Sequence, residues 1–258
     1  YFRQDMSVNR FLNSLIVIIL ISSCAATPVQ YAEVGKVLEI ERDVDSIPLA
    51  LSKILIKLRR LETLGRIQGG FFCVDQGPLE WQGGRLNITT DETTEVFRDE
   101  MVKAGYPIVG DPNALFDDPE MSKAELLVGG AITKLEANYC YPNMGFGDFS
   151  TVRGGAFMEI DWQVYNTLDR RVVFQTSTKG SYEAKENKRD GAFLIFSTAF
   201  ANATQNLMAE PGFYDLVTRP IDFAEVQKFK PIDTNLNELA LFKDNVQINN
   251  DRIAQAVV

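Results

Sequence analysis

The sequence predicts an α+β fold, a mixed α/β sandwich whose largely antiparallel sheet carries two or three covering helices. Three observations lead there. Met158, Ile160, Trp162 and Val164 alternate with Glu159, Asp161 and Gln163, which is the period of a strand with one dry face and one wet face. Phe193, Ile195, Phe196, Ala199, Phe200, Ala203 and Leu207 make a broad helical stripe over Gly191 to Met208, and that much aromatic area needs a sheet face to cover. Thr90 and Asp91 precede Val96, Phe97, Met101 and Ala104, with Gly105 behind them: an N-cap, an apolar face and a C′ glycine. No strict strand-helix-strand repetition runs through the chain, so the class is α+β or mixed α/β.

In chain order, Met6 and Arg10 stand before the apolar run Leu15 to Ile21 and the small residues leading to Cys24, the layout of a secretory signal peptide. The apolar run is far short of the roughly 20 residues that span a bilayer. Residues 1–23 are therefore read as upstream residues and leader, and 24–49 as a polar tether holding the folded part away from the membrane. The main domain is expected over 50–217. Leu51, Ile54, Leu55, Leu58 and Leu61 repeat at helical spacing, which favours a helix, although Ile54, Ile56 and Leu58 also alternate as in a strand. Gly65 to Val74 and Leu79 to Trp81 flank the turn-rich Asp75, Gln76, Gly77 and Pro78, a hairpin with Cys73 at its end.

After the helix ending at Gly105, Tyr106 to Val109 reads as a short strand. A longer one runs from Ala124 to about Tyr141, with a bulge expected at Gly129 and Gly130. The loop Pro142 to Arg153 leads into the alternating strand, Asn166 to Arg170 turns, and Arg171 to Tyr182 returns. The aromatic helix stops before Pro211 and Gly212. Residues 218–258, with Pro220 and Pro231, read as a linker and the start of a truncated following domain, since Ile253 to Val258 would leave apolar residues exposed.

Charge and composition exclude some partners and chemistries. The chain of 258 residues is 45% hydrophobic, enough for a core, and has a net charge of −9. Removal of Arg3, Asp5 and Arg10 with the leader leaves 24 basic and 34 acidic residues, a net charge of −10. Nucleic acid and anionic lipid both need clustered Lys and Arg, so neither is expected as a partner. There is no histidine, which excludes Ser-His-Asp and Cys-His sites, His-bearing zinc sites and a haem histidine within these residues. No catalytic residue, cofactor or metal ligand set is assigned. Ser122 beside Lys123 would point to opposite faces of a strand. Asp111, Asp117, Asp118 and Glu120 suit turns around Pro112 and Pro119, and Glu159 with Asp161 suits a wet strand face. Gly145-Phe146-Gly147 opens no helix, which argues against a nucleotide loop.

With Cys24 set aside, Cys73 and Cys140 form an even pair, read as a disulfide in an oxidising compartment or as two buried thiols. Tyr139, Tyr141, Phe146 and Phe149 surround Cys140 in a loop-like segment, material either for a partner surface or for core packing.

Ile21, Ser22, Ser23 and Cys24 resemble a bacterial lipobox, which implies a lipid anchor on Cys24 as the mature N-terminus. With Ala25 next, the class implies the periplasmic face of the outer membrane. IVGDP, AELLVGGAITKLEAN, MEIDWQVYNTLDRRVVFQTSTKGSY and AFLIFSTAFANATQNLM resemble, in order of elements, the lipoprotein domain of the curli-secretion (CsgG-like) class, which implies assembly, secretion and possible self-association. GGFFCVDQGPLEW, NYCYPNMGFGDFS and the MEIDWQVY to TKGSY hairpin are similar to the region ahead of trypsin-like, HtrA-type envelope serine peptidases. That resemblance implies a non-catalytic binding or regulatory module for envelope proteins, with the peptidase's own histidine, aspartate and serine beyond Val258.

Overall fold

The structure is a computed structural model and describes residues 28–41, 44–82, 90–110 and 119–218. Six strands form one mixed sheet: β1 (Leu49–Ile56), β2 (Thr63–Gly69), β3 (Val74–Glu80), β4 (Leu126–Tyr141), β5 (Thr151–Asn166) and β6 (Arg171–Arg189). Three helices join them: α1 (Thr90–Lys103), α2 (Gly191–Met208) and α3 (Pro211–Thr218). The sheet order is β3-β2-β4-β5-β6, with β1 beside the first half of β4. Pairs β2/β3, β4/β5 and β5/β6 are antiparallel, whereas β1 and β2 both run parallel to β4. The class is thus α+β, with an open, largely antiparallel sheet.

The alternation in β5 sets the layers. Met158, Ile160, Trp162 and Val164 are fully buried, while Glu159, Asp161 and Gln163 between them stay half-buried. Ile195, Phe196, Ala199, Phe200, Ala203 and Leu207 of α2 bury against the dry face. Trp162 is the centre of that layer, with Phe97 of α1 and Phe200 of α2 at ring separations of 5.8 and 6.2 Å. Its indole N–H donates to Thr178 Oγ1 (2.7 Å), whose hydroxyl in turn donates to the Ala203 carbonyl (2.8 Å). A buried indole keeps its partner in this way. Gly180 lets α2 approach β6, because a Cβ there would overlap the Ala199 carbonyl oxygen.

Several expectations are corrected. Leu51 to Leu61 does not form a helix; its first half is β1. A bulge between Leu51 and Lys53 leaves Leu49, Leu51, Ile54 and Ile56 opposite Leu126, Val128, Gly130 and Ile132, so two same-face leucine and isoleucine positions stand three apart and imitate helical spacing. The β2–β3 turn is Gly70 to Cys73, not Asp75 to Pro78. Pro78 is tolerated inside β3 because β3 is an edge strand, and Gln76 is an extra residue between the pairs Ile67↔Gly77 and Gln68↔Asp75. Tyr106 to Val109 is not a strand but a single bridge, Ile108 to Leu49.

Gly129 and Gly130 carry no bulge against β5; the irregularity lies between Ile132 and Lys134. Gly130 makes room instead, since a Cβ would come within 2.8 Å of Ile54 Cδ1 and 2.9 Å of Trp162 Cζ3. β6 runs seven residues past the expected Tyr182, to Arg189. Phe193 is 40% exposed and sits off the buried stripe of α2. α2 ends at Met208, before Pro211 as expected, and Pro211 opens the further helix α3, whose Phe213 rests on Tyr106 and Phe174.

The expected tether is largely docked. Residues 28–41 form a strap across the end of the sheet and onto α2. Asn138 Nδ2 donates to the Pro28 carbonyl (3.2 Å), Ala32 N–H to Ser181 Oγ (2.8 Å) and Gly35 N–H to Asn206 Oδ1 (2.6 Å). Leu38 and Ile40 N–H groups then reach the Met208 and Ala104 carbonyls. Buried Ala32 and Ile40 supply the apolar contact that composition alone did not reveal. Cys24 and residues 219–258 lie outside the described residues.

Candidate contact surface

One end of the sheet is built around a cross-link. Cys73 and Cys140 form a disulfide across 67 residues of sequence, and both are buried. It ties the β2–β3 turn to the end of β4, where Gln68 already pairs with Cys140 and Gly69 with Tyr141. Gly70 N–H donates to the Tyr141 carbonyl, and Cys73 N–H to the Gly70 carbonyl, both at 3.0 Å. Arg153, opposite Cys140 on β5, lies across the disulfide and donates from Nη2 to the Phe71 carbonyl at 3.2 Å. The turn is therefore held to β4 through Gly70 and to β5 through the Phe71 carbonyl, and its two rings stand in solvent: Phe71 is 76% exposed, and Phe72, its edge-on partner at 5.3 Å, 59%.

The β4–β5 loop stands beside this turn. Met144–Phe146 is one turn of 3-10 helix, closed by Gly147 in the left-handed region, whose N–H donates to the Met144 carbonyl. Asp148 organises the rest of the loop, accepting from Ser150 N–H (2.8 Å) and Asn143 Nδ2 (3.2 Å). Hydrogen bonds from Ser150 and then Asn143 hold its carboxyl below the usual aspartate range. Phe146 is almost wholly exposed at 92%, and Phe149, set edge-on to Tyr141 at 5.7 Å, is 56% exposed.

The four rings read as material for a partner surface or for core packing thus divide. Phe146 and Phe149 are surface groups. Tyr141 is half-buried, and Tyr139 is corrected to the core, where burial pushes its hydroxyl pKa upward. Phe71 and Phe72 were missed by sequence reading. Their signal was position: they immediately precede Cys73, so the cysteine pairing carries them to the Cys140 loop.

The other candidates do not assemble. Glu159 faces Lys179, 3.7 Å away, across β5 and β6, as an ion pair on the wet face of the strand. Ser122 and Lys123 are consecutive in the 3-10 helix Pro119–Lys123 and not on a strand. Asp111, Asp117 and Asp118 lie outside the described residues, as does the Glu120 side chain. Among the described residues no group of three or more His, Cys, Asp or Glu could hold a metal, and no helix is long and apolar enough to cross a membrane.

No family model matches the chain, and neither does any curated protein. Among solved structures the chain is similar, at low identity, to the following. A Xanthomonas campestris protein of the DUF330 family is 14% identical, with 68% of this chain and 91% of that chain covered and a TM-score of 0.34. A hypothetical protein of Chlamydia trachomatis is 12% identical (66% and 93% covered, TM-score 0.31). The PelC dodecamer of Paraburkholderia phytofirmans is 8% identical (70% and 98% covered, TM-score 0.34).

Proposed function

We propose that this chain is a non-catalytic domain of the bacterial cell envelope, a lipoprotein anchored through Cys24 that works by contact and not by chemistry. The observation that carries the reading is the disulfide-tied end of the sheet: Phe71, Phe72, Phe146 and Phe149 stand exposed on turns held by that cross-link and by backbone hydrogen bonds. Rings in water are costly, and an exposed apolar cluster on a rigid frame marks a contact site. The leader layout before Cys24 supports the envelope location, and the absence of histidine from the sequence supports a binding role over the commonest acid-base chemistry. The peptidase-region resemblance supports a regulatory module beside a serine peptidase, with envelope proteins as its class of partner. The periplasmic face of the outer membrane follows from the lipobox class and Ala25.

Photo-cross-linking in a bacterial host tests this. A photoreactive side chain at position 146 is expected to capture an envelope component, while one at position 168 is not. Leu168 is an apt control, being 74% exposed on the β5–β6 turn at the other end of the strands. Equal capture at both positions, or none at 146, would count against the reading.

A further inference from the structure

We infer that this aromatic end lies against a lipid bilayer, the one into which Cys24 is anchored. The inference rests on the lipoprotein reading and names what the contact surface touches. Its basis is where the strap begins. Pro28 is held by Asn138, and Val29 lies against Gly155 on the next strand. Asn138 is three residues, about 10 Å, from Tyr141, whose carbonyl anchors the Phe71–Phe72 turn. Cys24 precedes Pro28 by four residues, which reach at most about 14 Å when fully extended. A lipid on Cys24 therefore leaves the molecule close to the aromatic end. The opposite end of β5, at Asn166, is eleven residues or roughly 36 Å beyond Gly155 and out of that reach.

The chemistry of the end suits hydrocarbon better than a protein partner. All four strongly exposed rings there are Phe, which bring no hydroxyl or indole N–H, whereas protein contact sites favour Tyr, Trp and Arg. Phe146, Gly147, Asp148 and Ser150 N–H groups all have partners within the loop, which lowers the cost of approaching a medium without water. Charges there are of both signs: Arg66 pairs with Asp75, Lys188 with Glu186, and Asp148 lies near Arg189. Apolar insertion into a zwitterionic surface needs no basic patch, in keeping with a chain of net charge −9.

The test uses the full chain as bacterial cells process it, carrying Phe146→Trp, Phe71→Trp or Leu168→Trp, in phosphatidylcholine vesicles with brominated acyl chains. Native Trp81 and Trp162 are buried and give a constant background. The reporters at 146 and 71 are expected to shift to the blue and lose emission to the brominated lipid, unaffected by added salt, while the reporter at 168 does neither. If mass spectrometry finds no lipid on Cys24, the anchoring part of the earlier reading fails by itself. Coupling Cys24 to a maleimide phospholipid then tests orientation alone, since Cys73 and Cys140 are bonded to each other. Unquenched emission at 146 and 71 with the chain held on vesicles, equal quenching at 168, or cross-linking of position 146 in cells to protein in place of lipid overturns the inference.

Discussion

Asn138 donates from Nδ2 to the Pro28 carbonyl at 3.2 Å and accepts the Arg66 N–H at Oδ1 at 2.7 Å, so one side chain fixes the start of the strap and extends the β2–β4 contact. It is 7% exposed, and its loss leaves two backbone groups without a partner. Asn138→Ala is expected to cost about 1–3 kcal/mol in denaturant unfolding. The same variant should speed hydrogen exchange at Ala32 and Gly35, which depend on the strap staying down.

Reduction of Cys73–Cys140 releases the β2–β3 turn from β4. For its 67-residue separation the chain-entropy model gives a loss of about 4 kcal/mol, which a comparison of unfolding with and without reductant measures. The effect is expected to be absent in a Cys73→Ala/Cys140→Ala double variant, which should already show the lower stability.

Thr178 is 4% exposed and links Trp162 to α2. Thr178→Val keeps the volume but leaves the indole N–H in the core without an acceptor, an expected cost of about 1–3 kcal/mol with a changed near-ultraviolet tryptophan signal. Gly180→Ala is expected to be worse, because the added methyl meets the α2 backbone at Ala199 and cannot turn aside.

These core relationships were partly legible in the sequence, and the reason differs by element. β5 and α2 were readable because each buries one face against a single layer, so their periods stay clean from Met158 to Val164 and from Ile195 to Leu207. β1 was not, because a bulge at Ser52 changes its phase and parallel pairing buries Leu49, Ala50 and Leu51 in succession. The strap was not either: its hold on the body runs through backbone groups and the side chains of Asn138, Ser181 and Asn206, distant in sequence and without local pattern. The contact surface was half visible. Phe146 and Phe149 stood in an evident loop, but placing Phe71 and Phe72 beside them required the register of β2 on β4.

Asp148 makes the aromatic loop sensitive to acid. Its carboxyl is held below the ordinary value by Ser150 and Asn143, so its contribution to loop order is present above the unfolded aspartate pKa, about 3.9, and is lost as pH falls through the folded value. Amide resonances of Gly147 and Ser150 are expected to move together on acidification below that range. In Asp148→Asn they should show no such step.

The most direct measurement of the central claim is the accessibility of the aromatic end in the intact envelope. Phe146→Cys and Leu168→Cys are compared for reaction with a membrane-impermeant maleimide, in purified protein and in permeabilised cells, against the parent chain. The account predicts that both thiols react when purified and that only the one at 146 is protected in cells. Equal reaction of the two in the envelope would contradict it.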